Sequence, residues 1–122
     1  MANPNIAAAN SLYGNSVAIN LTTTNATTIV SNGASSGEVV RLTSLRATNI
    51  DGTNPAAVTV SFIDSSTGTT GYICFTILVP PDTVVNLLDK LDSFYLNEGD
   101  SIQATASAAN DVGIIAQYEV IS

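Results

Sequence analysis

The sequence predicts an all-β chain folded as a single antiparallel β-sandwich, jelly-roll-like and of about eight strands, preceded by an N-terminal arm. Three observations carry this expectation. Apolar and polar residues alternate at period two, turn-forming clusters recur about every dozen residues, and no stretch sustains the apolar period of a long helix. The clearest case is residues 94–107. Phe94-Tyr95-Leu96 is a short apolar strand, and Asn97-Glu98-Gly99-Asp100 supplies a turn in which Gly accepts positive φ and Asn and Asp bond their own backbone. Ile102, Ala104 and Ala106 then share one face, while Ser101, Gln103, Thr105 and Ser107 share the other.

Taken in order, residues 1–12 lack sustained periodicity and form the arm, with room for one helical turn from Ile6 to Ala9 between Asn-Pro and Asn-Ser. The sandwich domain occupies residues 13–122. Val17, Ile19 and Leu21 alternate with Ser16, Ala18 and Asn20 as a half-buried strand, and a short strand around Ile29 and Val30 follows. After the flexible turn at residues 32–37 comes a long strand, apolar at Val40 and Leu42 and then at Leu45 and Ala47. That change of parity requires an extra residue near Thr43-Ser44, since strict alternation cannot keep all four on one face. Val58, Val60 and Phe62 mark the next strand. Residues 72–79 are apolar on both sides, as suits a central or covered strand, and Pro80-Pro81 ends them because proline donates nothing to a ladder. Residues 84–91 read as strand from their Thr-Val-Val start, with a turn at Asp92-Ser93. In the last strand Ile114, Ala116, Tyr118 and Val120 make the apolar side.

Composition narrows the function. The formal charge is −7, with Arg41, Arg46 and Lys90 as the only cations, so neither nucleic acid nor an anionic membrane is an expected partner. Only 11% of residues are charged, and Thr, Ser, Asn and Ala stand where Lys and Glu usually do, a surface suited to packing against neighbours. A single cysteine implies no intrachain disulfide, and the first residues lack the pattern of a secretory signal, so synthesis in a cytoplasm is expected.

Chemistry is equally restricted. There is no histidine, which removes Ser-His-Asp and Cys-His constellations, and Cys74 among Ile73, Phe75 and Ile77 reads as a small buried hydrophobe. No cofactor and no metal site is expected: zinc wants Cys and His, and the carboxylates fall in turns, where their backbone-capping role accounts for them. A calcium or magnesium site at converging loops and a glycosidase-type carboxylate pair are the rival uses of those acids. Tyr13, Tyr72, Tyr95 and Tyr118 read as packing residues, with a sugar-stacking platform as the alternative.

Several segments bear a family likeness: Ser11-Leu12-Tyr13-Gly14, Leu21-Thr22-Thr23-Thr24, Ala47-Thr48-Asn49-Ile50-Asp51-Gly52-Thr53, Leu87-Leu88-Asp89-Lys90, residues 94–102 and Tyr118-Glu119-Val120-Ile121-Ser122. In these the chain resembles small virion structural proteins of tailed phages, cyanophages among them, most of all capsid decoration or cement proteins. The resemblance implies a non-enzymatic protein, made in the host cytoplasm and bound to the capsid surface of the virion. It also implies the major capsid protein as partner and a homotrimer at capsomer junctions. It supplies no functional residues. The interaction candidates come from the chain itself: Asn3, Pro4 and Ile6 in an arm placed to reach a neighbour, and Arg41 and Arg46, two scarce cations in one strand, set to pair with carboxylates on a partner or within the chain. Rival readings are a phage tail, neck or baseplate component, a carbohydrate- or receptor-binding module, and a small hydrolase using loop carboxylates.

Overall fold

In a computed structural model, which describes residues 4–88 and 93–122, the alternating runs pair into two antiparallel sheets. The strands are β1 (Leu12–Asn20), β2 (Thr27–Ser31), β3 (Val39–Asn49), β4 (Ala56–Asp64), β5 (Thr69–Val79), β6 (Thr83–Leu88), β7 (Phe94–Leu96), β8 (Ser101–Ala106) and β9 (Val112–Ile121). One sheet has the order β1-β9-β3-β6, with β7 pairing the other half of β3; the second has the order β2-β8-β4-β5. This interleaving of two four-strand orders is that of a jelly roll. Phe94-Tyr95-Leu96 is the short strand its sequence predicts, and it shares β3 with β6. Leu91 and the turn at Asp92 lie outside the described residues.

Side chains of both sheets meet in one core built on Leu21, Leu42, Leu45, Val60, Ile102 and Ile114, all fully buried. Burying each such side chain contributes about 1.5–3 kcal/mol, set against the backbone entropy of ordering its strand. The β8 alternation is as expected, with Ile102, Ala104 and Ala106 inside. The β3 pairing with β9 shifts register between Leu42 and Ser44, and the extra Thr43 donates its hydroxyl to the Gln117 carbonyl at 3.0 Å. That bulge keeps Leu42 and Leu45 in the core despite their odd spacing, and it brings Arg41 and Arg46 to the same outer face.

Buried amides and one carboxylate tie the loops together. The Asn49 Nδ2 donates to the carbonyls of Asn54 (2.9 Å) and Val79 (3.1 Å), and its Oδ1 accepts from the Asp51 N–H (2.9 Å). The Asn32 Nδ2 likewise donates to Glu38 and Leu96 carbonyls, and its Oδ1 accepts from the Ser36 hydroxyl. At the β7–β8 turn Gly99 holds φ +87°, a conformation that costs Gly little. These groups are buried and paired, so they serve the fold.

Two expectations change. Among the described residues β5 is neither central nor covered: it is the edge of its sheet and pairs only β4. Its apolar residues are consequently open on the outer face, where Tyr72, Phe75 and Leu78 are 58%, 63% and 62% exposed. The tyrosines, expected to pack, are mostly outside as well. Tyr13, Tyr72 and Tyr95 are exposed, and only Tyr118 packs against the core. Strand periodicity reports which face a residue takes; whether another layer reaches that face depends on the neighbouring strands.

Candidate interaction surfaces

The outer face of the β1-β9-β3-β6 sheet is built from rows of side chains fixed by register. One row runs Gly14, Glu119, Arg41 and Tyr95 across β1, β9, β3 and β7. Another runs Ala18, Ile115, Arg46 and Asn86 across β1, β9, β3 and β6. Within the first, Arg41 Nε stands 3.5 Å from Glu119 Oε1, a partly buried pair whose direct contribution is about 0–1 kcal/mol. Arg41 therefore has an intrachain partner. Arg46 is exposed, and among the described residues no carboxylate lies within ion-pair distance of it.

Between those rows lies a concavity of about 710 Å³, open to solvent, lined by Ser16, Ser44, Arg46, Asn86, Gln117 and Glu119 among others. Its lining mixes polar and apolar surface with both signs of charge, and it is open where the pockets that bury small ligands are enclosed. A smaller apolar hollow of about 230 Å³ sits further along the same face, at Ala18, Ile50, Gly113 and Ile115.

The arm begins in an exposed segment. Residues 5–10 are all exposed, and Ile6–Ala8 form one 3-10 turn, capped by Asn5, whose Oδ1 accepts from the Ala7 N–H at 3.1 Å. Ile6 is exposed and Pro4 partly buried; Asn3 lies outside the described residues. Leu12, counted in the arm from sequence, is already paired with Ile121. The structure thus brings Arg41 and Arg46 onto one surface and leaves Ile6 exposed in the terminal segment.

The second open surface is the β5 face. Tyr72 and Phe75 meet edge to face, ring centroids 4.9 Å apart at 79°, with Leu78 exposed on the same strand. The sequence flagged these residues as apolar and misplaced them. A signal for the edge position existed only in the partner strands, since nothing within residues 69–79 says that a second neighbour is missing.

The titrating groups behave as fold elements. Asp51 and Asp64 are held below the ordinary carboxyl value of 3.8, Asp51 chiefly by the Thr53 backbone N–H and Asp64 chiefly by the Ser66 hydroxyl. Burial pushes the Cys74 thiol up. Among the described residues no three carboxylate or thiol groups gather where a metal ion could be held.

These features define a class: a two-sheet jelly roll whose distinctive surfaces are a sheet face, an apolar edge strand and an exposed terminal segment. No protein-family model matches the chain, and no curated protein matches its sequence. Solved structures share its fold. A chain of the disulfide-linked pili that are Bacillus endospore appendages is similar at 20% identity and TM-score 0.52, over 92% of this chain and 88% of that one. A chain of the acidic stable capsid structure of Helicobacter pylori bacteriophage KHP30 is similar at 11% identity and TM-score 0.54, over 93% of this chain and 90% of that one. A pentameric capsid protein from metagenomic phage sequences is matched at 18% identity and TM-score 0.40, over 86% of this chain and 58% of that one.

Proposed function

We propose that this protein is a non-enzymatic virion structural protein, a decoration (cement) protein that binds the outside of an assembled phage head and stabilises its capsomer junctions. The observation that supports the reading most is that a chain of a phage capsid structure is similar in fold over 93% of this chain and 90% of that one. The composition supports it: a Thr/Ser/Asn surface with few charges loses less hydration on docking than a Lys/Glu surface. A protein that binds the assembled lattice and not free subunits stabilises the lattice by mass action. Trimeric attachment would add avidity without large single contacts. In this reading the major capsid protein is the partner, Arg46 and the Arg41–Glu119 pair lie on the capsid-facing surface, and the arm carrying Asn3, Pro4 and Ile6 crosses a seam.

The test is particle association. Purified virions should carry the protein in many copies, with density outside the shell in an electron-microscopy map. Deletion of residues 2–9 should lower occupancy while leaving the sandwich folded. Absence from the head, or unchanged occupancy after deletion, would overturn the head assignment or the arm's role respectively.

One observation favours a second reading. The exposed Tyr72–Phe75 pair is the aromatic cluster that a carbohydrate- or receptor-binding module, or a tail component contacting a host, would present. Glycan-array binding abolished by Tyr72→Ala would favour that reading over the capsid one.

A further inference from the structure

The four sheet edges of this jelly roll differ in one respect that bears on assembly. β2 is five residues long with a register shift between Thr28 and Val30. β5 carries two register shifts and a positive φ of +48° at Thr76. The β6/β7 edge is divided into strands of six and three residues, the first following Pro80-Pro81. Bulges, short strands and prolines are the devices by which proteins keep edges from pairing with other chains. β1 has none of them. It runs nine residues in unbroken register against β9, from Leu12↔Ile121 to Asn20↔Gly113, and it contains no proline and no charged residue.

Its free hydrogen-bonding groups follow from the pairing. Ser11 and Ser122 exchange both backbone bonds, and the Leu21 N–H donates to the Val112 carbonyl at 2.8 Å. Odd-numbered residues therefore face β9, and Leu12, Gly14, Ser16, Ala18 and Asn20 turn their N–H and C=O groups to the open side. We propose that β1 pairs with β1 of a second copy of this chain, antiparallel across a two-fold axis centred on Ser16, so that the β1-β9-β3-β6 sheet continues from one copy into the other.

The strand is suited to its own image. The register that uses its full length sets Ser16 against Ser16, Gly14 against Ala18 and Leu12 against Asn20, which joins outward-facing groups to outward-facing groups along the whole edge. Core-side residues left incompletely covered then meet: Tyr13, 63% exposed, lies opposite Ile19 of the second copy, an aromatic against a β-branched side chain. In a chain of charge −7, two copies approach along a strand that sets no like charges opposite one another. Association of this kind is isologous and closes after two copies. It leaves a three-fold contact elsewhere undisturbed, in which case it joins neighbouring trimers. It holds whether or not the protein is a virion component, since it concerns the purified chain alone.

Amide hydrogen exchange of the wild-type protein tests it without mutation. In an unpaired chain the N–H groups of Gly14, Ser16 and Ala18 meet water and exchange freely, whereas those of Asn15 and Val17 are held by β9. The pairing predicts that both sets are protected. Ser16→Lys sets two cations against each other on the axis, and it should accelerate exchange at residues 14, 16 and 18 at least about tenfold and reduce the assembly size. Ser16→Cys in a Cys74→Ala background should give a covalent dimer on mild oxidation, because a hydrogen-bonded antiparallel pair sets its Cα atoms about 5.5 Å apart, within disulfide reach. Asn86→Cys in the same background, on the opposite edge, should not. Fast exchange at residues 14, 16 and 18 in concentrated wild-type protein would overturn the proposal, as would equal cross-linking at positions 16 and 86.

Discussion

Asp100 Oδ1 accepts the backbone N–H of Ser65 at 3.0 Å, which joins the β7–β8 turn to the β4–β5 turn across the end of the sandwich. The same carboxylate accepts the Asn97 N–H through Oδ2 at 2.9 Å and the Ser65 hydroxyl at 3.3 Å. A buried acid that accepts from both turns is a loop clamp, and its removal takes an acceptor from each turn, while the Ser65 hydroxyl keeps the Glu98 carbonyl at 3.2 Å. Asp100→Ala should therefore cost about 1–3 kcal/mol, the loss of two part-buried hydrogen bonds to a carboxylate whose donors water can reach. Denaturant titration measures it; a loss below about 0.5 kcal/mol would show that the clamp is dispensable.

Gly99 lies beside that clamp. A Cβ there would come within 2.5 Å of Ser65 Oγ, at a φ of +87° that L side chains avoid. Gly99→Ala should destabilise by about 1–3 kcal/mol. A Ser65→Ala change added to it should recover part of the loss, because it removes the clashing oxygen while the strained φ remains.

The β3 bulge makes an independent prediction. Thr43→Ala removes one exposed hydrogen bond and should cost about 0.5–1.5 kcal/mol. Deletion of Thr43 should be far more disruptive, since restoring strict alternation turns either Leu42 or Leu45 out of the core. Truncation of one of these leucines to Ala is expected to cost about 2–5 kcal/mol, and the deletion should cost at least as much. A stable deletion variant with native circular dichroism would contradict this account of the register.

Acid stability follows from the turn carboxylates. Asp51 and Asp64 are both depressed in the folded chain relative to the ordinary 3.8, so the unfolded chain binds protons more readily. Their contribution is fully present above that value and is lost as pH falls through the lower, folded-state values. Asp64→Asn keeps an oxygen for the Ser66 donors and removes the titration. Stability measured from pH 6 down to pH 2, a span of about four units around the carboxyl range, should fall less steeply in this variant.

Cys74 gives a probe of the β5 edge. Its sulfur is buried and lies 3.6 Å from the Val58 carbonyl, and burial disfavours the thiolate that attacks reagents. Alkylation at mildly alkaline pH should be slow in the native protein and rapid once it is unfolded. Rapid native labelling would mean that β5 detaches readily from β4.

The pattern of what was legible has a physical basis. Side-chain alternation and turn chemistry are local properties, so residues 94–107, the single turn at Ile6–Ala8 and even the Thr43 bulge could be read directly from residue order. Arg41 and Arg46 could be named, because scarce cations stand out, but the Glu119 partner could not: it lies 78 positions away in sequence and is set opposite only by the β3–β9 register. β5 marks the same limit. Its composition suits a central strand, and only the strand order leaves Tyr72, Phe75 and Leu78 without a covering layer.

Residue order by itself determined that this chain would be a two-layered β body of low charge, without histidine-based chemistry, and which side of the cleanly alternating strands would face inward. The tertiary structure decided which strands lie at the edges, that both arginines share one face, and that among the described residues β1 alone ends its sheet unblunted. The division arises because the orientation of a side chain is set by its own backbone, whereas its exposure is set by which distant strand lies beside it.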